Sequence, residues 1–195
     1  MDHGVSHTGR LSQQTLHKLF RFLRETAALH DRVSFARLMV SLLPTLLPAD
    51  LTAYHELTPT KFRTIWTGAS ACGVGASAVH VLEQYPDHQP CAARHSEAED
   101  ERLLDFVDFL SWRQFSTLKI YQDFYRLMGI RYQVMLGLPA SQGQLVGIVV
   151  SRSLRPFSAH DRFLLRMLSP HFIQAYLNAE AVSRLRREQA RAGEV

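Results

Sequence analysis

The chain has little of what catalytic and secreted proteins are built on. It holds two cysteines, Cys72 and Cys91. So few thiols exclude a disulfide framework, and they read as reduced cysteines in a cytoplasm. No run of 18 apolar residues occurs, so no membrane-spanning helix is expected. The first ten residues, MDHGVSHTGR, lack the apolar core of a signal peptide and read as a disordered lead. There is no G-x-S-x-G nucleophile frame and no C-x-x-C pair. The stretch GASACGVGASA, 68–78, is rich in glycine but lacks the G-x-G-x-x-G spacing and a strand–helix frame. It therefore reads as a connector, not a dinucleotide loop.

What is present is ordinary globular material. Of 195 residues, 46% are hydrophobic and 21% charged, enough for one sizeable core without metal or disulfides. The net charge of +4 is small. Its excess gathers at the end, in Arg184, Arg186, Arg187 and Arg191. Such a tail can touch nucleic acid, or it is a solvated helix end with cations at the favourable pole of the dipole.

Hydrophobic spacing predicts the elements. Leu16, Leu19, Phe20, Leu23 and Ala27 recur at three and four, giving a helix over 12–30 with Ser12 as its cap. Asp31 or Ser34 restarts a helix with Leu38, Met39, Leu42 and Leu43 inward, ended by Pro44 and Pro48. Residues 51–59 and 61–67 read as a hairpin, and 103–106 as a short strand. A short helix over 78–85 and a polar loop over 86–101 separate them. Ser111 caps a helix to Met128, which Gly129 closes. Residues 130–138 and 145–153 form a second hairpin, with Tyr132, Val134 and Leu136 on one face and Gln133 and Met135 on the other. Ser158 and Asp161 form a capping box for a final helix over 159–190, which Pro170 should kink or break. Strands joined by hairpins, with helices before, between and after, imply an α+β fold: an antiparallel sheet covered by helices, with a long C-terminal helix.

Three groups of residues invite a functional reading. His88, Cys91 and His95 stand as H-x2-C-x3-H, residue types that hold zinc, but a closed site needs a fourth ligand. Exposed loop histidines are expected there, and neither metal nor cofactor. Cys72 lacks a charged neighbour that would activate it, so a thiol-dependent enzyme is the minor alternative. The main signal is aromatic. Phe106, Phe109, Trp112, Phe115, Tyr121, Phe124 and Tyr125 crowd one short stretch. They are either core on every side or partly the wall of a pocket. In the second case Tyr54, Trp66, Trp112, Tyr121, Tyr125, Gln133 and Met135 are the candidate ligand-binding residues, between the sheet and the aromatic helix. In the last helix, Leu165, Leu168, Phe172, Ala175, Ala179 and Val182 form a short seam. It predicts a homodimer through residues 165–185. Residues 176–195 are expected to project as a dimerisation or linker segment, or to fray, leaving 11–175 as the sensory domain.

The phrases PADLTAYHEL, DFLSWRQFSTLKIYQDFYRLMGIRYQVMLGLP and VGIVVSRSLRPFSAHDRFLLRMLSPHFIQAYLNAEAVSRLRRE carry a resemblance. Over roughly 34–188 the chain resembles the GAF-like N-terminal sensory part of bacterial LuxR-type helix-turn-helix transcriptional regulators. The resemblance implies a GAF/PAS-like sheet domain that is not an enzyme. It also implies an unknown small-molecule ligand, a homodimer, a cytoplasmic location, and contact with DNA only through a helix-turn-helix module. That module would begin where this sequence reaches Val195, so the expectation is a regulator's sensory part or a lone GAF-like dimerisation module.

Overall fold

The computed structural model describes residues 13–27, 31–58, 61–68, 81, 103–140 and 144–193; for 14, 27, 57, 58 and 61–68 it describes the backbone alone. The Ser12 cap, nearly all of the connector and short helix over 69–85, and the polar loop with His88, Cys91 and His95 lie outside the described residues.

Helix α1, Gln13–Ala27, buries Leu19, with Leu16 and Leu23 partly covered, as the three-four spacing requires, but Phe20, expected in the same stripe, is 66% exposed and Phe22 is buried in its place. Helix α2, Arg32–Leu46, starts at Asp31, whose side chain accepts from the Ser34 N–H at 2.8 Å. Pro44 does not end α2 but sits inside it. It falls in the last turn, so the helix runs only to Leu46, where the Leu47 N–H still reaches the Leu43 carbonyl at 2.8 Å.

The five strands are β1 Leu51–Thr58, β2 Lys61–Gly68, β3 Leu103–Asp105, β4 Tyr132–Leu138 and β5 Leu145–Arg152. Their order is β2-β1-β5-β4-β3, and every neighbouring pair is antiparallel. The β4–β5 hairpin therefore lies inside the sheet, which is why its residues are buried on both faces.

One face packs on α1, α2 and the long helix α4, Ala159–Ala192. Tyr54, Val134, Leu136, Ile148 and Val150 meet Phe22, Phe35, Met39, Leu165, Leu168 and Phe172 there. Phe22 stands edge-on to Phe172 at 5.0 Å. The other face carries Leu51, Ala53, Met135 and Val149 under Phe106, Phe115, Ile120, Phe124 and Tyr125.

The aromatic segment is not the single helix expected over 111–128. Helix α3, Trp112–Thr117, stops at Leu118, whose backbone is extended at φ −64° and ψ 139°. The Ser116 and Thr117 hydroxyls donate to the Arg113 and Gln114 carbonyls at 3.1 and 2.8 Å, which diverts the backbone acceptors of the last turn. A π-helical turn, Tyr121–Tyr125, follows. Its widened bonds run from Arg126 N–H to the Tyr121 carbonyl at 2.8 Å and from Ile130 N–H to the Tyr125 carbonyl at 2.9 Å. The wider turn lets the consecutive Phe124 and Tyr125 both face inward. Gly129, at φ +67°, closes the segment as expected.

Helix α4 begins with the expected capping box of Ser158 and Asp161 and runs unbroken through Pro170. Pro170 is exposed, so water can serve the carbonyl that loses its helical donor. The seam residues Leu165, Leu168, Phe172, Ala175 and Ala179 are buried within this one chain. They pack on the domain's own core and are not available to a second copy. Nor does the helix leave the body at residue 176, since Tyr176 and Ala179 are both buried. From Arg184 onward every described residue is exposed.

Candidate functional site

Strand parity decides what stands under the aromatic cover. In β1 the residues Leu51, Ala53 and His55 share that face; opposite them in β5 are Ser151, Val149 and Gly147, and beyond these in β4 are Gln133, Met135 and Gly137. One row is thus Leu51–Ser151–Gln133, the next Ala53–Val149–Met135, the third His55–Gly147–Gly137. Beyond His55 the third row is two neighbouring glycines, so β5 and β4 give it no side-chain floor. The Met135 side chain lies across it, since a Cβ on Gly147 would collide with the Met135 methyl.

A small cavity of about 10 Å³, room for one water, lies between this face and the π turn. Leu51, Ala53, His55, Phe124, Tyr125, Gln133 and Val149 line it. The Tyr125 hydroxyl donates to Gln133 Oε1 at 3.3 Å, and Gln133 Nε2 donates to Ser151 Oγ at 3.3 Å. Both bonds are long, hence easily exchanged for better partners. His55 is buried, and burial lowers its pKa from the ordinary 6.5 to about 4, so its ring is neutral at physiological pH. No charged side chain is among the seven lining residues. The site offers hydrogen-bond donors and acceptors without net charge, set in apolar walls. Val81, from the chain between β2 and β3, packs against the same cluster.

The seven candidate residues separate into groups. Tyr125 and Gln133 line the cavity, and Met135 stands one row away. Tyr121 is half-buried and meets Trp112 edge-on at 5.4 Å. Trp112 is 48% exposed, with Arg131 over its ring at 5.6 Å, so this pair forms the rim. Trp66 pairs with Ala53 in the ladder, and its side chain lies outside the described residues. Tyr54 is on the opposite face, packed edge-on to Phe35 at 6.0 Å. Grouping it with the others is corrected by the period of two, which sends Tyr54 one way and Ala53 and His55 the other. Sequence reasoning missed His55, Ser151 and the glycine pair. The alternation in LTAYHEL would have put His55 on the face of Leu51 and Ala53.

No protein-family model matches the chain, and no curated protein matches it. Solved structures do. The ligand-binding domain of VqsR from Pseudomonas aeruginosa superposes with a TM-score of 0.66 at 15% identity, over 86% of this chain and 97% of that one. CepR2 from Burkholderia cenocepacia, an N-acylhomoserine lactone dependent LuxR family transcription factor, gives 0.59 at 15% identity, over 84% and 93%. The GAF domain of an Acinetobacter phosphoenolpyruvate-protein phosphotransferase gives 0.51 at 13% identity, over 89% and 99%. The fold is that of LuxR-type ligand-binding domains and of GAF domains, as the sequence resemblance implied.

Proposed function

We propose that this domain senses a small, uncharged molecule for a bacterial LuxR-type transcriptional regulator, from the cytoplasm and as a homodimer. The observation that supports this best is the neutral polar group of His55, Gln133 and Ser151 on an otherwise apolar sheet face, with the Tyr125 hydroxyl above it. Buried polar groups cost stability unless they are well bonded, and the Gln133 amide bonds to Tyr125 and Ser151 are both long at 3.3 Å. A ligand that gave Gln133 shorter bonds would recover that loss. The neighbours are consistent with such a role: VqsR's matching part is a ligand-binding domain, and CepR2 depends on an acylated lactone. Contact with DNA is assigned to a helix-turn-helix module, not to this domain, and no reaction is assigned to Cys72 or Cys91.

The test is a thermal-shift screen of the full chain against uncharged metabolites, acylated lactones and amides included. A compound that binds only the folded state raises the melting temperature. The expected result is at least one hit that Gln133→Leu abolishes and that the Cys72→Ser, Cys91→Ser double variant retains. A screen without hits leaves the structural dimerisation module as the better reading.

The homodimer needs a surface other than the buried seam. Phe163, Leu177 and Leu185 are exposed along the outer side of α4, and Phe20 on α1 is 66% exposed. These are the contacts proposed for the second copy. Light scattering should give a dimer mass for the intact chain and a monomer for Leu177→Glu, Leu185→Glu. A monomeric parent would end this part of the reading.

A further inference from the structure

Helix α4 is held to the fold at two places, and the two holds differ. Near its start Arg152, almost fully buried, donates to Asp161 Oδ2 and to the Pro48 carbonyl, both at 2.7 Å, and lies over the Phe157 ring at 4.3 Å. The adjacent Arg162 reaches Asp105 and Asp108, each at 2.9 Å. This start is clamped to β5 and β3 with the apolar core directly behind it. The far part is different. After Ala179 no residue of α4 is buried, and the hold passes to charged groups.

Arg32, the first residue of α2, is their centre. Its guanidinium pairs with Glu56 of β1 at 2.8 Å and with Glu180 of α4 at 3.0 Å. Its backbone N–H donates to Ser183 Oγ at 3.0 Å, and Asp31 faces Arg186 at 3.5 Å. The Tyr54 hydroxyl donates to the same Glu56 carboxylate at 2.7 Å. Burial lowers the guanidinium's proton affinity, but the bond and charge of Glu56 outweigh it, so Arg32 stays charged. One cation shared by two carboxylates, 20% exposed itself, holds both by charge while all three are in place. The hold is poor when either acid moves away.

β1 connects this cluster to the cavity. Tyr54 and Glu56 point to the cluster, and His55 between them lines the cavity on the other face. A shift of the strand backbone at His55 moves both neighbours, because consecutive side chains stand on opposite faces of one rigid ladder. We propose that Tyr54–His55–Glu56 is a relay and Arg32 a latch: displacement of His55 loosens Glu56 from Arg32 and releases α4 from Glu180 to its end. The sensing role above is needed only to say what displaces His55 in nature. The coupling belongs to the unliganded protein and is tested there, so its failure and that of ligand binding are separately visible.

The experiment is hydrogen–deuterium exchange on the full chain without ligand, read over residues 180–187. Glu180→Gln should speed exchange there about tenfold, as loss of the half-buried ion pair to Arg32 implies, with β4 and β5 unchanged. His55→Asn, on the far face of the sheet, should speed the same amides about threefold, a partial loss of the same hold. Gln133→Leu alters the cavity from β4 and should leave them unchanged. Where His55→Asn does not fold, His55→Gln is read in its place. Unchanged exchange over 180–187 in Glu180→Gln or in the His55 variant overturns the latch. Equal acceleration by Gln133→Leu overturns the relay, because the effect is then general loosening.

Discussion

The two faces of one sheet are built to different standards. On the face under α1, α2 and α4, β4 and β5 present Val134, Leu136, Leu138, Val146, Ile148 and Val150, aliphatic side chains, with Tyr132 and Arg152 paired at one end. On the other face the same two strands present Gln133, Ser151, Met135 and a pair of glycines beneath tilted aromatic rings. The first is dense core that fixes the fold. The second gives up packing for hydrogen-bonding groups and a small hollow. A sheet can be both at once because its residues alternate, so each strand writes two independent surfaces.

The contrast can be broken most sharply by equal truncations on each side. Phe172→Ala removes a ring with no exposed surface, wedged on Phe22, and should lower unfolding free energy by about 3–5 kcal/mol in urea titration. Phe124→Ala, beside the hollow and in the π turn, should cost clearly less, because its surroundings can relax. Equal costs would mean the two faces are equally rigid.

A pH titration probes the polar group next. His55 titrates near 4 when folded and at its ordinary 6.5 when unfolded, so the unfolded chain takes up the proton first. Stability is then full above pH 6.5 and falls as pH drops toward 4, by ~3 kcal/mol at most. Asp31 and Asp161 are held below the ordinary 3.8, by the Ser34 backbone N–H bond in the first case and, against burial, by the Arg152 bond in the second. Their losses therefore come only at lower pH. Asp105, raised by burial, acts in the opposite sense, so the comparison to make is with His55→Asn. The variant should lose the slope between pH 6.5 and 4. An unchanged slope would place its origin elsewhere.

Smaller effects sharpen the same picture. Gln133→Leu removes two 3.3 Å bonds and should stay within about 1 kcal/mol of the parent in stability. A large loss would make Gln133 a structural residue. Trp112→Ala, at the half-exposed rim, should cost less than about 1 kcal/mol, since its contact with Arg131 is solvent-facing. A larger loss would move Trp112 from rim to core.

Much of the fold was legible. The Ser158–Asp161 box, the Gly129 stop and the alternation in β4 are local signals, each satisfied within one element, whereas the spacing in α1 turned Phe20 inward where Phe22 is the buried ring. The aromatic segment was misread because apolar residues stand on all sides of it. Periodicity then gives no phase, and neither the break at Leu118 nor the π turn leaves a pattern at helical spacing. The seam of α4 was read correctly as an apolar stripe, but what covers a stripe is not written in it. Of the site, Tyr125 and Gln133 were found from their residue types, whereas His55 and Ser151 were overlooked as ordinary strand residues.

By itself the sequence determined the elements, their caps and the two-faced character of the strands, because those follow from side-chain period and backbone chemistry within a few residues. Only the tertiary structure decided which partner each face received. It set α4 against its own core instead of a second copy, placed Tyr54 away from the cavity, and gathered Arg32, Glu56 and Glu180 around one guanidinium. Those outcomes depend on distances between residues far apart in the chain. Such distances are set by the register of β1 on β5 and the packing of α2 and α4 upon them, and no local pattern encodes them.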